Sequence, residues 1–280
     1  MSYPYVCSAD VAKNYDAKGV SIMEMPLDRD FADIQRWGIH FYRYNLKAGS
    51  TVRPELKADS IVLLMFNGKR AYVSCGDEVF HVDEPSFFIP DYDKQSYTVG
   101  AVEDAEFIMG VFKMNDWDED LYSRWHKHLP FFRKYTDCVQ YDQSCKKPGT
   151  RSWTVLQGMQ LGHVTVGVVH AIALARADVG VAIGAGTDEK GHPEVHQWNY
   201  CLGDSDFDLD VEGECAPQKP GDFSFVYAGK DHKLLAKEGK EVFYVWVEYY
   251  VDEDLTEYDY SSTHNETVKE AYYRLHPEKA

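Results

Sequence analysis

The spacing of glycines and histidines between residues 184 and 232 constrains the fold of this chain more than any other feature. A first block contains Gly184, Lys190, His192, His196 and Gly203, and a second runs from Pro220-Gly221-Asp222 through Ala228-Gly229 to His232. Residues two apart on a β-strand share a face, and Pro-Gly-Asp is a turn sequence. We therefore expect the three histidines to meet inside a small β-barrel.

Three imidazoles in such an interior are typical of a catalytic metal site. A structural zinc site is closed by four protein ligands, whereas a catalytic site leaves a coordination position open. The sequence therefore predicts one divalent transition metal, which could be zinc, manganese or iron.

The same spacing resembles the two sequence motifs of the cupin family, G-x5-H-x-H-x3-E-x6-G and P-G-D-x-x-F-x-P-A-G-x-x-H. The chain departs from them at three places. Lys190 replaces the first histidine, His196 replaces the glutamate, and Tyr227 replaces a proline. Because an ammonium group cannot coordinate a cation, the resemblance gives His192, His196 and His232 as the metal ligands.

The first half of the chain repeats this spacing in a weaker form. Gly49 to Gly68 matches Gly184 to Gly203, and the ligand places, including that of His232, are taken by Glu55, Lys57, Ile61 and Gln95. An internal repeat of this length predicts two similar barrels in tandem. The shortage of ligands predicts that the first barrel is metal-free.

We predict an all-β fold: two tandem cupin (jelly-roll) β-barrels with a short helical bridge and a C-terminal helix. The predicted parts are residues 1–115 (N-terminal arm and metal-free barrel), 116–160 (helical bridge and loop), 161–252 (metal-binding barrel) and 253–280 (helical tail). An acidic first turn and a stop at Pro130 indicate the bridging helix from Asp116 to His128. A capping box at Thr263 to Glu266 opens the last helix.

Composition limits the partners of the chain. Its 46 acidic and 29 basic residues give a formal charge of −17, which argues against nucleic acid and anionic membranes. The first residues lack the pattern of a signal peptide, and the six cysteines show no CxxC spacing. We therefore expect a cytoplasmic protein with reduced thiols, and a homodimer, because exposed barrel edges often pair.

Two side chains beside the predicted ligands are candidates for catalysis. Lys190 could act as a general acid or fix a substrate carboxylate, or it could be a rim lysine that pairs with Glu189 or Glu194. Glu194 is a candidate catalytic residue and a spare ligand.

Aromatic side chains are candidates for the substrate pocket. Trp198 and Tyr200 follow His196 at steps of two, so they should face inward with it, although ordinary core packing explains them as well. Tyr227 and Trp246 complete the predicted substrate-binding set. Glu248 shares a face with Trp246 and is interpreted as a surface charge.

These residues predict a metal-dependent bicupin enzyme that acts on a small molecule. The His192-x3-His196 spacing is similar to that of ureidoglycine aminohydrolases, which implies a hydrolytic metal site. The first hypothesis is a hydrolase or lyase that cleaves a bond in a small polar carbonyl compound, such as a 1,3-dicarbonyl, through a metal-bound enolate or activated water. The alternatives are a three-histidine iron dioxygenase, a sugar-acid isomerase and a non-catalytic small-molecule-binding cupin.

Overall fold

Antiparallel β-sheets make up most of the structure, a computed structural model. It describes residues 5–25, 34, 37–91, 95–125, 129–141, 145–147, 149–156, 161–172, 174–176, 181–183, 185–189, 191, 195–236 and 238–250. The prediction of an all-β chain is confirmed. The chain divides into two compact units: an N-terminal unit, Asp10–Cys138 with Gln160–Gly162, and a C-terminal unit, Met1–Ala9 with Val139–Met159 and His163–Ala280.

The first eleven strands follow the alternating and apolar runs of the first half of the sequence. They are β1 Tyr5–Cys7, β2 Val20–Glu24, β3 Ile39–Leu46, β4 Thr51–Val52, β5 Ser60–Asn67, β6 Ala71–Cys75, β7 Glu78–Val82, β8 Pro85–Ile89, β9 Tyr97–Ala101, β10 Ala105–Lys113 and β11 Phe131–Lys134. In the N-terminal unit they form a six-stranded sheet, β11-β8-β5-β10-β3-β2, and a four-stranded sheet, β4-β9-β6-β7. β1 pairs instead with a strand of the C-terminal unit.

Twelve further strands build the C-terminal unit. They are β12 Val139–Tyr141, β13 Arg151–Thr154, β14 Val164–Ile172, β15 Leu174–Arg176, β16 Val181–Ile183, β17 Ala185–Glu189, β18 Val195–Cys201, β19 Phe207–Val211, β20 Glu214–Gln218, β21 Phe223–Val226, β22 His232–Ala236 and β23 Glu241–Tyr250. A seven-stranded sheet, β1-β21-β18-β23-β14-β13-β12, and a four-stranded sheet, β17-β22-β19-β20, accompany the hairpin β15-β16.

Each unit has its own core between its two main sheets. In the N-terminal unit, Leu64 and Met109 of the six-stranded sheet share a cluster with Val73 and Val99 of the four-stranded sheet.

The predicted helix is present as α1, Asp116–Trp125, with Asp116, Asp118 and Glu119 in its first turn. Negative charge at this end stabilises a helix because the backbone N–H groups there are unsatisfied. Its predicted end at His128 and the C-terminal helix of residues 253–280 lie outside the described residues. In the part of the chain that is described, no helix is long and apolar enough to cross a membrane.

Strand β17, which carries Glu189, requires glycine at position 186. It has φ of 141°, and a Cβ added there would lie 1.9 Å from the carbonyl oxygen of Leu234 on the neighbouring strand β22. We expect Gly186→Ala to lower the free energy of unfolding by at least about 1–3 kcal/mol through backbone strain and this contact.

Chemical denaturation would measure this loss, with Gly239→Ala as the matched control. Gly239 also has a positive φ, of 73°, but a Cβ there would meet nothing within 4 Å. Equal losses in the two variants would show that the contact with Leu234 does not contribute to the change in the free energy of unfolding.

Candidate functional site

Polar side chains gather in the interior of the C-terminal unit, between its two sheets. Adjacent strands place Glu189 of β17 directly opposite His232 of β22. Side chains two apart share a face, so these residues point the same way as Leu234, which belongs to the interior core. The carboxylate and the imidazole therefore both point into the interior of the barrel.

Lys146 enters this interior and pairs with Glu189. Its Nζ lies 2.6 Å from Glu189 Oε1, and only 5% of its side chain is exposed. Burial alone would lower the pKa of the lysine, but the Glu189 carboxylate more than offsets this effect and the pKa is raised well above its usual value. The group is thus a buried ammonium ion. The thiol of Cys145, 3.4 Å from the same carboxylate oxygen, has its pKa raised to about 12, first by burial and then by Glu189.

The backbone around Lys146 explains how a residue from a connecting segment reaches the interior. Lys146 forms a β-bridge with Thr187. Lys147 N donates to Gly186 O, and Asp188 N donates to Cys145 O, both at 2.9 Å. The segment therefore runs along the edge of β17 as a short added strand, so its side chain follows the alternation of the sheet.

His232 is fixed by its two ring nitrogens. Nδ1 lies 3.0 Å from the Lys230 carbonyl oxygen, which can only accept, so Nδ1 carries a proton. Nε2 lies 3.4 Å from Glu189 Oε2 and has no hydrogen-bond partner among the described residues. Histidines that bind a metal usually donate their other N–H to a backbone carbonyl or a carboxylate. His232 therefore has the orientation of a metal-binding histidine, although the carboxylate beside it is already paired with Lys146.

Gln197 and Asn199 of β18 line the interior from the seven-stranded sheet. Gln197 Nε2 donates to Asn199 Oδ1 at 2.8 Å, and Asn199 Nδ2 donates to Ser224 Oγ at 3.4 Å. These two hydrogen bonds orient the Gln197 amide. Its buried Oε1 has no hydrogen-bond partner in the described part of the structure. The amide oxygen is thus a further neutral ligand candidate.

Glu248 adds a second carboxylate to this interior. It is 5% exposed, and the hydroxyls of Thr165 and Tyr250 each donate to its Oε2 at 3.4 Å. The interpretation of Glu248 as a surface charge was wrong. Both faces of β23 are buried, so a charged residue on this strand does not mark a solvent-exposed face. Trp246 lies on the same face and covers Gly167, where a Cβ would lie 2.2 Å from the ring.

A small cavity, with room for about one water molecule, lies among these side chains. Its walls are formed by Lys146, Glu189, Gln197, Tyr244, Trp246 and Glu248. Burial raises the pKa of the Tyr244 hydroxyl, so this group stays protonated and can donate.

His196 does not face this cavity. Gln197 and Cys201 of β18 point inward, so His196, Trp198 and Tyr200 lie on the opposite face of the strand. The imidazole ring packs 4.6 Å from the Tyr227 ring, and its Nδ1 accepts a hydrogen bond from Ala228 N at 3.1 Å. The structure therefore does not bring His196 together with His232.

The aromatic residues predicted to bind substrate are divided between these two faces. The ring centroid of Trp198 lies 5.1 Å from that of Phe225, which in turn contacts Tyr227, whereas Trp246 lines the cavity. Their substrate-binding roles stay predictions, and the geometry favours core packing for Trp198, Tyr200 and Tyr227.

Lys190, His192 and Glu194, the other predicted site residues, lie outside the described residues. Within the described part of the chain no group of three His, Cys, Asp or Glu side chains could hold a metal ion. The described residues thus supply an incomplete ligand set, centred on His232 and Glu189.

Sequence reasoning missed Lys146, Glu189 and Gln197. The last two are each one residue from a motif position, Lys190 and His196. A shift of one residue exchanges the faces of a strand, so spacing alone could not choose between neighbours. No sequence signal marks Lys146, because it reaches the barrel through a β-bridge that no motif encodes.

The fold of paired antiparallel sheets around a common core is similar to that of solved cupin structures. The chain is similar to Ylba from E. coli (TM-score 0.61, 11% identity, covering 88% of this chain and 90% of that one). It is also similar to a cupin 2 conserved barrel domain protein from Leptotrichia buccalis (0.53, 11%, 86% and 91%). A mutant of Bacillus subtilis oxalate decarboxylase matches with a TM-score of 0.59 at 12% identity, covering 92% and 81%. No family model and no curated protein matches the sequence.

Proposed function

We propose that the C-terminal unit is a divalent-metal-dependent enzyme, a hydrolase or lyase that cleaves a bond in a small polar carbonyl compound. The observation that carries the proposal is the orientation of His232, with its Nδ1 proton on the Lys230 carbonyl and its Nε2 beside the Glu189 carboxylate. One of the solved structures with a similar fold is oxalate decarboxylase, which supports a catalytic use of such a barrel.

The proposed metal site combines nitrogen and oxygen donor atoms and needs ligands from outside the described residues. His232 Nε2 and a Glu189 oxygen would hold the ion, with Gln197 Oε1 as a neutral third ligand and His192 as the further ligand predicted from sequence. Mixed nitrogen and oxygen donors are typical of zinc, manganese and iron sites. A bound ion of this kind polarises a carbonyl group or activates water.

Other side chains around the proposed metal site could take part in the reaction. Tyr244 can donate a hydrogen bond to a substrate oxygen, and Glu248 can accept a proton at its carboxylate. Trp246 closes one wall against water. Lys190 and Glu194 remain proposed catalytic residues from the sequence alone.

A second candidate is a small-molecule-binding barrel without catalysis. The specific observation in its favour is the 2.6 Å contact between Lys146 and Glu189, because the ammonium already neutralises the carboxylate that a metal would need. The metal content of the protein separates the two candidates.

We expect the purified protein to contain about one equivalent of a transition metal, and His232→Ala to lose it. Removal of one ligand of a protein metal site removes most of the affinity, since even supporting residues change it about 10–100-fold. Elemental analysis after gel filtration measures the content. Zinc would favour hydrolysis, and iron would favour oxygen chemistry.

His170→Ala is the matched control for this measurement. His170 also pairs with a glutamate, Glu241 at 2.8 Å, but it lies on the opposite face of β14 from the interior residue Val169. Metal retained in His232→Ala, or absent from the wild-type protein even after reconstitution, would contradict the proposed metal enzyme.

The assembly and location follow from the sequence arguments alone. We propose a homodimer in the cytoplasm that binds a small molecule and neither nucleic acid nor membrane. Size-exclusion chromatography with light scattering tests the dimer, and a mass of one chain would contradict it.

A further inference from the structure

The amide oxygen of Gln197 is buried beside a space of about the size of one water molecule. The side chain is 4% exposed, and its Oε1 has no hydrogen-bond partner among the described residues. Gln197 lines the small cavity together with Lys146 and Tyr244. A buried polar oxygen without a partner costs free energy, so this oxygen favours a ligand that fits the space and donates a hydrogen bond.

The charges around the cavity favour a neutral ligand. Lys146 presents an ammonium group, whereas Glu189 and Glu248 present carboxylates. A cation in this space would meet the ammonium, and an anion would meet the two carboxylates. Like charges repel strongly where water is excluded, so a small neutral molecule is the ligand that avoids both costs.

The lining residues offer both kinds of partner that a buried water needs. Gln197 Oε1 and the carboxylates accept hydrogen bonds, whereas the Tyr244 hydroxyl and the Lys146 ammonium donate them. The bond from Lys146 to Glu189 Oε1, at 2.6 Å, uses one of the three N–H donors of a lysine. A buried water makes about two to four hydrogen bonds, which this set of groups can supply.

We propose that one water molecule is permanently bound in this cavity and bridges the Gln197 amide to the Lys146–Glu189 pair. The bridge joins β18 of the seven-stranded sheet to β17 of the four-stranded sheet, whose edge Lys146 extends. Asn199 is a positioning residue for it, because Asn199 accepts the hydrogen bond from Gln197 Nε2 at 2.8 Å and leaves Oε1 for the water. Such a water needs no metal, and it therefore goes beyond the proposed function.

A high-resolution crystal structure of the purified wild-type protein tests the water bridge. We expect one electron-density peak in the cavity, without anomalous scattering. It should lie within about 2.5–3.2 Å of Gln197 Oε1 and of Lys146 or Glu189, the range of hydrogen bonds. No peak in this space, or a peak that contacts only one side of the cavity, would overturn the bridge.

The same structure distinguishes a failure of the bridge from a failure of the proposed function. A transition-metal ion held by Gln197 Oε1 and Glu189 would show anomalous scattering and contacts of about 2.0–2.2 Å. That result would overturn the bridge and support the metal enzyme. A bridging water in a protein that contains no metal, even after reconstitution, would keep the bridge and contradict the metal enzyme.

Gln197→Met tests the bridge in solution, because methionine is similar in size but lacks the accepting oxygen. Oxygen-17 magnetic relaxation dispersion detects internal water molecules with long residence times. We expect the variant to shorten the residence time of this water about fivefold, the effect of one hydrogen bond. Unchanged relaxation in Gln197→Met would overturn the bridge.

Gln218→Met is the matched control for this measurement. Gln218 is also fully buried in the same barrel, but its Oε1 accepts a hydrogen bond from Cys201 Sγ at 3.8 Å, and it does not line the cavity. This variant should leave the relaxation unchanged, and equal changes in both variants would overturn the bridge. The crystal structure of the wild-type protein decides the outcome if Gln197→Met does not fold.

Discussion

Replacing Lys146 with methionine is expected to lower the free energy of unfolding by about 3–5 kcal/mol, the usual loss when one partner of a buried ion pair is removed. The ammonium and the Glu189 carboxylate are both nearly inaccessible, with 5% and 6% of their side chains exposed. Methionine fills similar space, so the loss would come from the carboxylate that remains buried. Urea denaturation of the metal-free protein at neutral pH measures the difference.

The pH dependence of this loss identifies its cause. A buried carboxylate without a cation has its pKa raised above the unfolded value, because burial disfavours the charged form. A group whose pKa is raised on folding contributes stability at low pH and loses it as the pH increases. The deficit of Lys146→Met should therefore shrink as the pH falls towards 5.

The double variant with Glu189→Gln supplies the control, because it removes the buried charge together with its partner. It should recover much of the stability that Lys146→Met loses. If the double variant is as unstable as the single one, the loss comes from packing. The ion pair would then contribute little to the free energy of unfolding.

The strands were predictable from the sequence because each depends on its own residues. The apolar run Ile61 to Phe66 became β5, Ser60–Asn67, and the aromatic run from Glu241 became β23, Glu241–Tyr250. The turn that joins β6 to β7 contains Gly76, which has φ of 59°, a conformation that favours glycine. These strands and this turn can be located from sequence because burial and turn geometry depend on neighbouring residues.

The site was less predictable because it depends on which face each strand turns inward. β18 is buried on both faces along its whole length, so alternation of polar and apolar residues does not show its inner side. Only its pairing with β23 places Gln197 opposite Glu248 and turns His196 outward. Lys146 depends on a bridge between distant segments, which no local pattern records.

His196 is expected to make the metal-free protein sensitive to mild acid. Burial lowers the pKa of its imidazole to about 4 from an ordinary value of 6.5, and its Nδ1 accepts the Ala228 N–H, which only an unprotonated nitrogen can do. A group whose pKa is depressed on folding gives its full stabilisation above the unfolded pKa and loses it as the pH falls through the folded pKa. The contribution is therefore complete above about pH 6.5 and disappears progressively towards pH 4, up to a total of about 3 kcal/mol.

Comparison with His196→Asn isolates this contribution from the many carboxylates that also titrate in acid. An asparagine can offer Oδ1 to Ala228 N in place of Nδ1, and it takes up no proton in this range. The variant should be less stable than the wild-type protein at pH 7, because the contacts of the ring with Tyr227 and Phe225 are lost. Its free energy of unfolding should nevertheless fall less steeply between pH 6.5 and 4, so the two stability curves should converge. Parallel curves over this range would mean that His196 titrates alike in the folded and unfolded chains, and its burial on the outer face of β18 would then have to be abandoned.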